Sequence, residues 1–169
     1  MRSGSIDLPG VGLHSSYPRE PYSLSVTPKA ILEFCERKGI SRYDILSDAG
    51  ISDSSSRPAD PEAAFQKIAT LWEVALKRTG DASIALQVGQ CIPIGAFQFV
   101  DHIFMLAPSG LDALDAGRKF FHMINTEFQF TAEVRKNKLV VELHSARHPE
   151  FLSGECVHYA FSAVLFRLQ

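Results

Sequence analysis

The sequence predicts an α+β fold: a mainly helical single domain with a small antiparallel β-hairpin. Three observations carry that prediction. Apolar residues recur at helical spacing through most of residues 27–121 and again after 153. Between these stretches the period changes to strict alternation. Phe128, Phe130, Ala132 and Val134 alternate with Gln129, Thr131, Glu133 and Arg135. Finally, 169 residues with 46% hydrophobic and 21% charged side chains suit a single core.

Taken in order, residues 1–26 carry Gly, Ser, Pro and Tyr without periodicity and read as a leader, in which Met1 to Ser5 fit a cloning scar. The domain proper is expected over 27–169. Thr27 and Pro28 have the character of an N-cap and first helical residue, and Ile31, Phe34 and Cys35 then share one face up to the stop at Gly39. Ser41 begins a short helix with Ile45, Leu46 and Ala49 inward, ended by Gly50. Asp60-Pro61 opens a long helix carrying Ala64, Ile68, Leu71, Trp72 and Ala75, closed by Gly80. Asp81 caps a fourth helix that runs to Gly89. The dense apolar run Phe97–Leu106, charged only at Asp101, predicts a buried helix stopped by Pro108. Ser109 starts another, with Leu114, Gly117, Phe121 and Ile124 inward. The alternating segment then turns at Lys136-Asn137 and returns through Leu139, Val141 and Leu143. Such a hairpin is marginal alone and must pack on helices or find a third strand. An amphipathic helix follows through Cys156, Tyr159, Ala160, Ala163 and Val164, and it reaches Gln169 without a stop signal.

Composition excludes several classes. A net charge of −2 and scattered Lys and Arg argue against DNA binding by these residues alone. Cys35, Cys91 and Cys156 have no metal or disulfide spacing; buried reduced thiols in a cytoplasmic protein are expected, with no membrane span. No cofactor motif appears. Cys156 and His158 have the residue types of a nucleophile and base, yet lie two apart on a helix and point to different sides, so no enzyme is expected.

The order of blocks resembles the N-terminal, arabinose-binding-type sensor domain of AraC-type transcription regulators. Ile31 to Ile51 is similar to that family's opening helix, Gly, short helix and Ala-Gly-hydrophobic turn. Phe65 to Gly89, with Thr79-Gly80-Asp81 and Ile84 to Gly89, resembles its most recognisable stretch. Gly95-Ala96-Phe97 and Ala107-Pro108 with Leu111 and Ala113-Leu114 continue the likeness, which covers roughly residues 28–169. Where relatives often carry further glycines after the position of Gly95, this chain has Gln98 and Asp101. The resemblance implies a small-molecule effector. It also implies a helix-turn-helix domain, absent from this chain, through which alone DNA is contacted.

Asp44 to Ser52 has the look of half a helix-turn-helix, but Ser-rich sequence and prolines follow where a recognition helix is needed, so a packing turn is expected. For the effector, Phe97 to Leu106 and the group Phe120, Phe121, Phe128 and Phe130 are the cavity candidates. Phe97, Asp101, His102, Arg118 and His122 are the candidate ligand-binding residues, the last four because they interrupt apolar stretches and could orient a ligand. Arg118 shares a face with Leu114 and Phe121 and needs a partner, whether Asp101, Asp115 or a ligand carboxylate. His102, His122 and His158 invite a metal or haem reading, which a core or surface role outweighs. The rival to sensing is a dimerisation or protein-interaction module without an effector. Val157, Ala160 and Val164 of the last helix are the expected interface of a homodimer.

Overall fold

A computed structural model describes residues 22–51, 61–121, 128–145 and 153–168. Their elements run α1 (Tyr22–Arg37), α2 (Arg42–Asp48), α3 (Pro61–Thr79), α4 (Ile84–Gln90), α5 (Phe99–Leu106), α6 (Gly110–Phe120), β1 (Phe128–Arg135), β2 (Lys138–Ser145) and α7 (Gly154–Arg167). The fold is α+β, as the change of period predicts. Among the described residues, no helix is long and apolar enough to cross a membrane.

The helix stops follow local chemistry. Gly39 and Gly50 take φ of +82° and +64°, a conformation that a Cβ penalises. This lets Ile40 N–H reach the Cys35 carbonyl at 3.0 Å and Ile51 N–H reach that of Leu46 at 2.9 Å. Each bond satisfies a terminal helix carbonyl and folds an isoleucine onto the core. The Asp44–Ile51 stretch is thus a packing turn, with Ile45 and Leu46 buried and α2 resting on α1 and α3. Ser41, Ser109 and Ser153 each cap the following helix through a side-chain oxygen.

The start of the first helix is a correction. It begins at Tyr22, and Pro28 lies inside it, forgoing one i→i−4 hydrogen bond. Thr27 is no cap. Its hydroxyl instead donates to the Tyr159 oxygen on α7 at 3.1 Å, so α1 extends back to deliver that contact. The fourth helix runs to Gly89 as expected and one residue beyond it, and Gly89 has a second role. A Cβ there would lie 2.7 Å from the Tyr159 carbonyl oxygen and 2.8 Å from Ser162 Cβ. Gly89 is therefore what lets α4 and α7 cross closely, and Ser162 Oγ donates to the Leu86 carbonyl at 2.6 Å in the same crossing. Asp81 does organise the entry to α4, accepting from Ser83 N–H at 2.9 Å and from Gln87 Nε2 at 2.7 Å.

β1 and β2 pair antiparallel, with Phe130 opposite Leu143 and Ala132 opposite Val141. Lys136 and Asn137 both take positive φ (49° and 61°), the two-residue turn that matches strand twist. No third strand joins among the described residues; the hairpin packs on helices instead. Phe128 meets Phe65 of α3 edge-on at 5.4 Å, and Phe130 meets Phe121 at 5.2 Å. Towards the turn the apolar face leaves the core, so Val134 is exposed.

Two further expectations need correcting. The run Phe97–Leu106 is not buried all round: Val100, Asp101 and Phe104 face inward, while Phe99, Met105 and Leu106 face out. Of the cysteines, only Cys35 is buried; Cys91 is exposed and Cys156 is half-buried.

Candidate functional site

The inner face of the hairpin does not close fully on the helices. It leaves a cavity of about 110 Å³ between β1, β2, α3, α5 and α7. Alternation supplies one wall, from Phe128, Phe130, Val141 and Leu143. Helical spacing supplies the other two. Phe65, Ile68 and Trp72 come from α3, and Cys156, Tyr159, Ala160, Ala163, Val164 and Arg167 form one face along α7. Val100, Phe104 and Phe97 close the α5 side. The lining is apolar apart from a handful of groups: the Thr27 and Tyr159 hydroxyls, the Cys156 thiol, the Trp72 indole and Arg167.

The Arg167 side chain is a buried cation, 5% exposed against 1% for its partner Asp101. Its Nε donates to Asp101 Oδ1, and its other nitrogens reach the Ala163 carbonyl at 2.8 Å and that of Pro93 at 3.3 Å. The guanidinium lies 4.6 Å over the Phe97 ring. Asp101 Oδ2 accepts the N–H groups of Gly95 and Phe97 at 2.7 and 2.9 Å. Every charge in this cluster is paired, which is the condition for burying it. The carboxylate also holds the 95–98 turn, and there Gln98 takes φ +46° and ψ −116°, a region that favours glycine.

The thiol and the phenol are held neutral. Burial pushes the Cys156 thiol up, and hydrogen bonding from Ser153 and Trp72 offsets only part of that. Burial likewise pushes Tyr159 up to about 12, against the hydrogen bond from Thr27. A thiol held protonated is a poor nucleophile.

Residues 39–168 match the family model described as the arabinose-binding domain of AraC transcription regulators, N-terminal. The chain belongs to this family. No curated protein and no solved structure shows a significant match to it.

Within this AraC-type domain the candidate residues separate clearly. Phe97 lines the cavity, and Asp101 stands behind it, reaching the lining through Arg167. Ala160 and Val164 are half-buried in the cavity wall, whereas half-buried Val157 is not part of it. His102 and Arg118 lie away from the cavity, and of the partners expected for Arg118 it is Asp115 that pairs with it. His102 is exposed, with Nδ1 2.9 Å from the Gln98 carbonyl. Arg118 is exposed too, paired with Asp115 at 3.0 Å, since three residues along a helix bring those side chains together. Neither brings a polar group to the cavity. His122 lies outside the described residues. His158 is exposed, so it does not converge with His102 on an internal site.

Sequence reasoning missed Arg167, Trp72, Tyr159 and Thr27 as cavity groups. A signal for the first existed. Asp101 and Arg167 are lone opposite charges in two strongly apolar stretches, and each burial needs the other.

Proposed function

We propose that the cavity is the effector site of this AraC-type domain, and that α7 passes its state of occupancy towards the DNA-binding part of the regulator. One observation carries this reading. A single face of α7, from Cys156 to Arg167, lines the cavity from end to end, and its last turn is tied to α5 through Asp101. A ligand that fills the space bears on the whole length of that helix. Coupling then requires only that the ligand favour one placement of α7, and 1–3 kcal/mol is typical of such coupling. The test is a thermal-shift screen of small apolar compounds on wild type and on Ala160→Leu, which fills the cavity. The reading expects stabilisation that grows with ligand concentration and disappears in the variant. Shifts that survive the filling place the binding site elsewhere.

A second reading is favoured by a different observation. Met105 and Leu106 of α5 and Leu165 and Phe166 of α7 are 67%, 82%, 54% and 40% exposed. Exposed apolar side chains of this size suit an interface with a second copy of the chain. Light scattering on wild type and Leu106→Glu distinguishes the two. A concentration-dependent dimer abolished by the substitution supports the interaction module, and a monomer at high concentration removes it.

A further inference from the structure

We infer that the effector is a small, uncharged, hydrocarbon-like molecule, and that the site rejects sugars and carboxylates because the polar groups on its wall are already engaged with one another. The inference rests on the cavity being the effector site, and it names the chemistry that the site selects.

Among the described residues, the polar groups of the lining pair off. The Thr27 hydroxyl donates to the Tyr159 oxygen at 3.1 Å. The Trp72 indole nitrogen has under 1 Å² of accessible surface, and its N–H is turned to the Cys156 thiol. Trp72 therefore offers the space ring carbon. Arg167 gives its N–H groups to Asp101 and to the Ala163 and Pro93 carbonyls, and its flat face to the Phe97 ring. Asp101 accepts from the Gly95 and Phe97 N–H groups as well. A ligand could use any of these groups only by breaking a bond and stranding the other partner. Those partners are buried, with Thr27 5% exposed, Tyr159 8% and Asp101 1%, so stranding them is costly.

The rest of the wall takes hydrocarbon. Phe65, Phe104, Phe128, Phe130, Val141 and Leu143 are wholly apolar side chains. A sugar carries a hydroxyl on nearly every carbon, and against these walls most would lose their hydrogen bonds. The family model carries arabinose in its description, yet the wall of this member does not suit a pentose. A carboxylate fares no better. It would meet a guanidinium already neutralised and, behind it, the like charge of Asp101. Size agrees with this choice. An engineered apolar cavity of about 150 Å³ stays dry and takes benzene, and this one, at about 110 Å³, suits a single ring or a short chain.

The experiment titrates the wild-type protein with toluene, benzoate and L-arabinose, and follows the methyl signals of Val164 and Leu143, which both line the cavity. Toluene is expected to shift these methyls saturably. Benzoate and arabinose are expected to bind at least about a hundredfold more weakly, since even one buried polar group left without a partner is worth about tenfold. If benzoate or arabinose moves the methyls at an affinity within a hundredfold of that of toluene, the polar groups yield to a ligand. The hydrocarbon assignment is then overturned, although the cavity remains a binding site. If none of the three moves the methyls, the effector-site reading itself fails, and this inference falls with it.

Discussion

The carboxylate of Asp101 and the guanidinium of Arg167 form a buried ion pair that joins the first turn of α5 to the last turn of α7. Breaking it from either side is costly, but unequally. Asp101→Ala strands a buried guanidinium and also frees the Gly95 and Phe97 N–H groups, so a loss of about 3–5 kcal/mol is expected. Arg167→Met leaves Asp101 its two backbone donors and costs less. Urea unfolding of both variants checks the order. A change within about 0.5 kcal/mol for Asp101→Ala, usual for surface sites, contradicts the pairing.

Asp101 was legible in the sequence as a charge inside an apolar run, whereas its partner was not. The two residues are separated by 66 positions, and no periodicity relates one helix to the face of another so distant. Arg118 misled for the opposite reason. It shares a helix stripe with Leu114, but its long side chain reaches solvent and Asp115 lies one turn back. Alternation identified the hairpin face and its turn, since both are properties of neighbouring residues. How far along the strands that face stays covered depends on where the helices end. That is why the exposure of Val134, like that of Leu106, could not be read.

The hairpin allows a paired test. Phe130, buried between Phe121 and the cavity, is expected to cost about 3–5 kcal/mol on truncation to Ala. Val134→Ala, on the same face but 56% exposed, is expected to stay within about 0.5 kcal/mol. Equal losses at the two positions would mean that the hairpin is covered along its whole length.

Gly89→Ala sets two effects against each other. Alanine favours a helix over glycine by up to about 1 kcal/mol, but here its Cβ meets the Tyr159 carbonyl, a backbone atom that moves only with α7. Steric conflict wins, and a net loss of about 1–3 kcal/mol is expected from thermal unfolding. A stabilised variant would show that α4 and α7 are not so close.

At Gln98 the sign reverses. Its φ of +46° is strained for any side chain, so Gln98→Gly is expected to stabilise by up to about 1 kcal/mol in spite of glycine's greater freedom when unfolded. Denaturant midpoints decide it, and a loss of stability would remove strain from the 95–98 turn.

Tyr159 makes stability depend on pH. Its hydroxyl ionises near 10.0 in the unfolded chain and at about 12 when folded. Its contribution is therefore full below the first value and is lost as pH rises through the second. Tyr159→Phe should show a shallower decline of stability over that window in urea melts. An identical slope would mean that the phenol is not buried as described.

Hydrogen exchange measured with increasing concentrations of a small apolar compound that stabilises the wild type reads most directly whether α7 responds to what fills the cavity. Saturable protection of amides from Val157 to Arg167, together with the β1 and β2 residues that line the cavity, is the predicted result. Saturable binding that leaves α7 exchange unchanged would contradict it.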